Sequence, residues 1–246
     1  MLFRSLFWRL DPVAAARLDG VATTARTKPF VARQAAFAAL IADACGNDTV
    51  VLGTAFDDRH RPDTQAILGR MTNWLPVVLR YDAGRPFVDW LRDAHRRVFD
   101  TLAHGDLPFA AIDAKLRAAG LPAPETAITF MLSREQEDRR FAGLVIEDRR
   151  FHVATMPRGC LVYVDAKRPD NCQVRFNADR YDRAAMAGLM DRYVRLLEAA
   201  AQAPQAPIGE LVQAAGALPM RWRMTRWVRR ARRALRRPRT AEPITR

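Results

Sequence analysis

The chain has 246 residues, 49% of them apolar, with a formal charge of +13. That length suits one sizeable domain and a tail, and the apolar content excludes a disordered chain. No apolar run reaches the ~18 residues of a membrane span, and Arg4 and Arg9 interrupt the partly apolar start in a way that does not suit a secretory signal.

The charge is uneven. Eleven arginines and one glutamate lie between 219 and 246, so the tail carries +10 of the +13 and the preceding 218 residues only +3. Cys45, Cys160 and Cys172 form no C-x-x-C. The last two fall on arms of an expected hairpin whose turn, near Lys167 to Asn171, places Cys172 opposite about Asp165, which argues against a disulfide. Free thiols suit a cytoplasmic setting.

In chain order, Leu2 to Leu10 reads as a strand or a lead-in segment. Asp11-Pro12 starts a helix with Val13, Leu18 and Val21 inward. Thr27 and Pro29 open a second, with Phe30, Phe37, Leu40 and Ile41 toward the core and Gly46 as its stop. Thr49 to Phe56 and Leu75 to Tyr81 read as strands. Pro86 begins the clearest helix, in which Phe87, Trp90, Leu91, Ala94, Val98 and Leu102 form one stripe. Phe109, Ile112 and Leu116 make a short helix closed by Gly120, with Phe109 as a core anchor. Strands follow at 126–132, 144–148, 159–165 and 172–176. Asp182 caps a helix with Met186, Leu189, Tyr193, Leu196 and Leu197 inward. The interleaving predicts an α/β two-layer sandwich with a mixed sheet. Residues 203–219 read as a linker, which puts a folded unit at 1–212 and a linker with an Arg-rich tail at 213–246.

Four segments carry a family resemblance. Ile67 to Pro76 (ILGRMTNWLP) and His104 to Phe109 (HGDLPF) resemble the I-G-x-F-x-N-T-L-P and H-Q-D-x-P-F motifs of the nonribosomal peptide synthetase condensation domain. Upstream, Thr27 to Phe30 with Ala35 to Phe37, and Asp48 to Thr54 with Arg59, are similar to its T-P-F…A-A-F helix and D-I-V-V-G-T…R strand. The resemblance covers roughly 5–212 and implies one chloramphenicol-acetyltransferase-like lobe, the C-terminal one. In the family, an acyl group on the phosphopantetheine arm of a carrier protein passes to a downstream amine or hydroxyl. That arm is the implied substrate carrier, with no other cofactor bound.

The family's H-H-x-x-x-D-G base lies in the other lobe. Here none of His60, His95, His104 and His152 has an aspartate four residues later. The expected activity of this chain alone is therefore nil, with a separate chain carrying the histidine lobe as partner. The alternative is a non-catalytic module that docks on a carrier protein or synthetase. A lone lobe is also expected to self-associate through the face that would meet its partner, near Asn73 and 151–159.

Candidate site residues follow. Asn73 either shapes the substrate tunnel or lobe contact, or is a turn residue before a strand. The family's arginine five residues later is Val78 here, with Arg80 two further on, and the glutamate that ends the second motif is Ala110. His104 is the one histidine inside a motif. It is read as a base only if a partner orients it, and otherwise as a helix-terminal histidine, with Asp106 capping the next helix. Met156 and Gly159 fall in a segment that the family crosses toward the other lobe, or else in a surface loop. No serine-hydrolase motif or metal cluster accompanies them.

In the tail, Met220, Met224, Trp227, Val228, Ala231 and Leu235 recur at helical spacing. Trp222, Trp227, Arg229, Arg230 and Arg233 are candidate contacts to an anionic membrane surface, which would place the chain at the inner face of the membrane. A disordered tail is the alternative. No motif supports specific nucleic-acid reading.

Overall fold

The structure, a computed structural model, describes residues 3–57, 59, 62–69, 71–121, 128–133, 159–165 and 172–216. The elements run β1 (Phe3–Trp8), α1 (Pro12–Thr24), α2 (Pro29–Cys45), β2 (Thr49–Asp57), α3 (Pro62–Gln65), β3 (Thr72–Arg80), α4 (Phe87–Leu102), α5 (Phe109–Ala118), β4 (Ile128–Ser133), β5 (Cys160–Asp165), β6 (Cys172–Asn177), α6 (Arg183–Gln202) and α7 (Ile208–Ala214). The strands form one sheet in the order β1-β6-β5-β4-β2-β3. The β2–β4 and β4–β5 pairings are parallel; β1–β6, β5–β6 and β2–β3 are antiparallel. This is the mixed two-layer α/β architecture the interleaved pattern predicts.

Strand alternation sets the layers. In β3, Leu75, Val77 and Leu79 are buried while Val78 and Arg80 point outward. In β6, Cys172, Val174 and Phe176 are buried, while Gln173 and Arg175 are half-exposed on the other face. There the Arg175 guanidinium lies 4.7 Å from the centre of the Tyr163 ring. The helices cover the buried face. Phe37 of α2, Phe130 of β4 and Tyr193 of α6 meet at its centre, with ring centroids 5.2 to 6.5 Å apart.

The helix boundaries follow their caps. Asp11 accepts from the Ala14 amide at 2.9 Å, and Asp182 from Ala184 and Ala185 at 2.8 and 3.0 Å. Gly46 ends α2 with φ 59°.

Several expectations are corrected. Val13 is 59% exposed; α1 packs through Ala15, Leu18 and Ala22, so small residues rather than the first valine make its contact. Lys28, not Thr27, stands at the start of α2. No residue of α5 is buried, so Phe109 is not a core anchor. The hairpin register is close to the expected one: Tyr163 pairs with Gln173, which carries Cys172 opposite residue 164 and away from Cys160, and the three cysteines are buried with no disulfide among them.

The expected linker at 203–219 contains α7, whose Ile208, Leu211 and Val212 are buried. Three apolar residues at i, i+3 and i+4 suffice for this helix despite the prolines around it. Residues 204–209 bond back to the start of α4 and the segment before it: Phe87 and Val88 donate to Ala206 and Pro204, and Ile208 and Gly209 donate to Arg85 and Ala83, all at 2.8 to 3.0 Å. The folded unit thus continues past 212. The expected strand at 144–148, Met156 and the tail lie outside the described residues.

Candidate functional site

The two segments that carry the strongest resemblance meet through one side chain. Alternation along β3 puts Asn73 on the helix-facing side of the sheet, at the strand end below the α4–α5 turn. Its Nδ2 donates to the carbonyls of Gly105 and Leu107, both at 2.8 Å. Its Oδ1 accepts from the Trp74 amide at 2.9 Å and the Phe109 amide at 3.3 Å. An amide side chain has two donors and two acceptor positions, and all four are used.

Asn73 is therefore part of the strand, not a turn before it, and has no polar capacity left for a ligand. It is a positioning residue. The last of its bonds also explains how α5 begins. Pro108 caps that helix with no side-chain bond of its own. The first free amide, at Phe109, is satisfied from a strand 36 residues away in sequence.

The glycine in the turn is as constrained as its neighbours. A Cβ at Gly105 would lie 2.5 to 2.8 Å from three atoms of the Phe56 ring. Phe56 pairs with Asn73 across β2 and β3, so the ring and the amide reach the turn from adjacent strands. Where the family motif has glutamine, this chain has a glycine under a phenylalanine. Nothing local in the sequence marks that pairing.

The chain before β3 is tied down by Arg59. Its guanidinium donates to Asp57 Oδ1 at 3.2 Å, to the Ile67 carbonyl at 3.3 Å and to the Gly69 carbonyl. Ile67, bonded by Arg59, is 49% exposed and the adjacent Leu68 fully so; in the α4–α5 turn Leu107 is 47% exposed.

The other candidates are placed apart. His104 is exposed just beyond the C-terminal end of α4, the helix-terminal position. Asp106 is exposed and does not cap α5. Gly159 is buried next to β5, where its carbonyl accepts from the Asn177 amide at 2.9 Å, and β4 and β2 separate that strand from β3. Val78 and Arg80 share the outward face of β3, with Arg80 exposed, so a cation remains on that face but two residues further along. Among the described residues no histidine, cysteine or carboxylate cluster has the form of a metal site.

A family model for the condensation domain matches residues 5–216. This chain belongs to the condensation-domain family. Among curated condensation-domain relatives, phosphinothricin tripeptide synthetase PhsB of Streptomyces viridochromogenes is 31% identical over 126 residues, 50% of this chain and 10% of that protein. Surfactin synthase subunit 1 of Bacillus subtilis is 24% identical over 210 residues, 82% of this chain and 6% of that protein.

Two solved structures share the fold. The first condensation domain of the CDA synthetase has a TM-score of 0.68 at 21% identity, covering 85% of this chain and 47% of that one. The X-domain in its complex with OxyB from teicoplanin biosynthesis has 0.72 at 23%, covering 85% and 48%. The chain thus spans about half the length of these condensation-type structures and a tenth or less of the two synthetases.

Proposed function

We propose that residues 5–216 act as the C-terminal half of a condensation-type site that joins a carrier-bound acyl group to an amine or hydroxyl. The observation that carries this reading is the Asn73 clamp, which holds the N-W-L-P strand and the H-G-D-L-P-F turn together as one wall. The wall holds no oriented base, since His104 is exposed beyond α4. In this reading the base comes from an H-H-x-x-x-D-G lobe, the phosphopantetheine arm of a carrier protein delivers the acyl group, and the rim of Ile67, Leu68 and Leu107 is where the other lobe or a second copy packs.

The test is amide formation from an acyl-loaded carrier protein and an amine. The chain alone is expected to give none above a no-protein control, and addition of an H-H-x-x-x-D-G lobe is expected to restore it. General-base catalysis is typically worth ~10²–10⁴-fold. Product formed by the chain alone and abolished by His104→Ala would overturn this reading.

A second reading, a non-catalytic docking module, is favoured by the X-domain complex, in which a related fold binds another protein. It predicts carrier-protein or synthetase binding with no rate gain on adding the histidine lobe. For the tail, Trp222, Trp227, Arg229, Arg230 and Arg233 are proposed contacts to anionic lipid. Co-sedimentation with anionic vesicles is expected for the full chain and not for one ending at Leu218; equal behaviour of the two removes that role.

A further inference from the structure

A second charged feature lies on α4, away from the clamp. After α1 the chain turns through Arg26, which among the described non-glycine residues alone has a positive φ, 56°. That backbone is uncommon for an arginine and costs free energy that the surroundings must offset. The turn sets Thr27 against α4, where its Oγ1 lies 2.8 Å from His95 Nδ1. The His95 ring is backed by Phe99, with centroids 4.4 Å apart.

Between this turn and the first three turns of α4 is a cleft of about 390 Å³, lined by Ala25, Arg85, Asp89, Arg92, His95 and Arg96. Asp89, Arg92 and Arg96 recur at the spacing of one helical stripe, and Arg85 reaches the cleft from the segment before α4.

The charges do not cancel. Three guanidiniums face one carboxylate in the lining. Arg92 holds Asp89 at 2.7 Å, and Arg96 reaches Asp93 at 2.9 Å. The other oxygen of Asp93 is already taken by Arg97 at 2.8 Å. Arg85 is half-buried and has no ion pair among the described residues. Burial works to raise the Asp93 carboxyl, yet the Arg97 bond and the charges of Arg97, Arg85 and Arg96 together hold it below its ordinary range. Thr27 occupies Nδ1 of His95, which leaves Nε2 as the ring's second polar atom.

We propose that this cleft binds a phosphate-class oxyanion through Arg85, Arg92, His95 and Arg96. Guanidinium forks match phosphate oxygens bidentately, and binding would give Arg85 the contact ion pair it does not make with Asp93. The site is independent of the proposed condensation role. It lies roughly 20 Å from the clamp along the α4 axis, at about 1.5 Å per residue.

Titration of the full-length, isotope-labelled chain with inorganic pyrophosphate at about 150 mM salt tests it, read at the Thr27 and His95 amides by NMR; at that ionic strength distant charges such as the tail's are screened beyond about 8 Å. Saturable shifts at those amides are expected. Arg85→Gln with Arg92→Gln should weaken them at least about tenfold with an unchanged circular dichroism spectrum. Arg117→Gln, which removes a charge from α5, should leave them unchanged. A parallel titration with 4′-phosphopantetheine separates the sources. Tighter binding than pyrophosphate identifies an organic phosphoester, and weaker binding identifies a free inorganic anion. No saturable shift, or equal shifts in the double variant and the parent, overturns the site.

Discussion

Helices α2 and α5 show two ways of holding a helix to the same sheet. Thirteen of the seventeen residues of α2 are buried, and its aromatic contacts reach β4 and α6. No residue of α5 is buried, and its start is fixed by the Phe109 bond to Asn73. Burial makes α2 part of the global folding unit. A helix with no fully buried residue opens at lower cost, which is the usual property of elements that move around ligands. The wall of the proposed site is therefore built on the more weakly held of the two.

That contrast is breakable from both sides. Phe37→Ala in α2 should cost ~3–5 kcal/mol of global stability, read as a lower denaturation midpoint, because it opens a cavity between Phe130 and Tyr193.

Alkali should also act on the core and not on the clamp. Burial pushes the Cys160 thiol up to about 12 from 9.0. Burial, and then the charge of Asp43, push the Tyr81 phenol up to about 12 from 10.0, and burial raises Tyr193 as well. All three are raised in the folded state, so their contribution is complete below about pH 9 and is lost as pH rises toward 12. The midpoint should therefore fall across that window, with the buried Cys160 and Tyr193 contributing most and the half-exposed Tyr81 less. Cys160→Ser or Cys160→Ala should shallow the fall.

Asn73→Ala should cost ~1–3 kcal/mol, because two carbonyls and two amides lose this side chain as a partner. Its clearer mark is local: hydrogen-exchange protection at Phe109 and through α5 should drop while α2 is unchanged. Asn73→Asp should be no better, since a carboxylate cannot donate to Gly105 and Leu107.

Gly105→Ala should cost about 1–3 kcal/mol through the clash with Phe56, with partial recovery in combination with Phe56→Leu. Ile112→Ala on the half-exposed face of α5 should stay within about 1 kcal/mol. A loss there as large as that at Phe37 would mean that α5 is part of the core after all.

The same contrast explains what could be read in advance. α4 was legible because its buried stripe alternates with charge, and α2 was bounded by Pro29 and Gly46 even though burial on nearly all sides leaves little periodicity. The start of α1 misled because alanines make its contacts, and α7 was hidden because seven residues among prolines carry too short a pattern. Asn73 stood out as part of a motif, but its role did not. Its partners lie 32 to 36 residues away, and nothing local in the sequence records a bond at that range. Phe56 and Gly105 were missed for the same reason: each is ordinary alone, and only the fold brings one over the other.

The return of 204–209 onto the segment before α4 bears on how such units are recombined. A splice placed after α6, where the helical pattern pauses, would strip the partners from the Phe87 and Val88 amides and leave an opening where Ile208 and Val212 pack. It would also remove Gly209 from its seat against Ala83, where an added Cβ would come within 2.8 Å. A seam that keeps this unit intact in a chimaera therefore lies beyond Gly216, and chimaeras cut earlier should be recovered as insoluble or protease-sensitive protein.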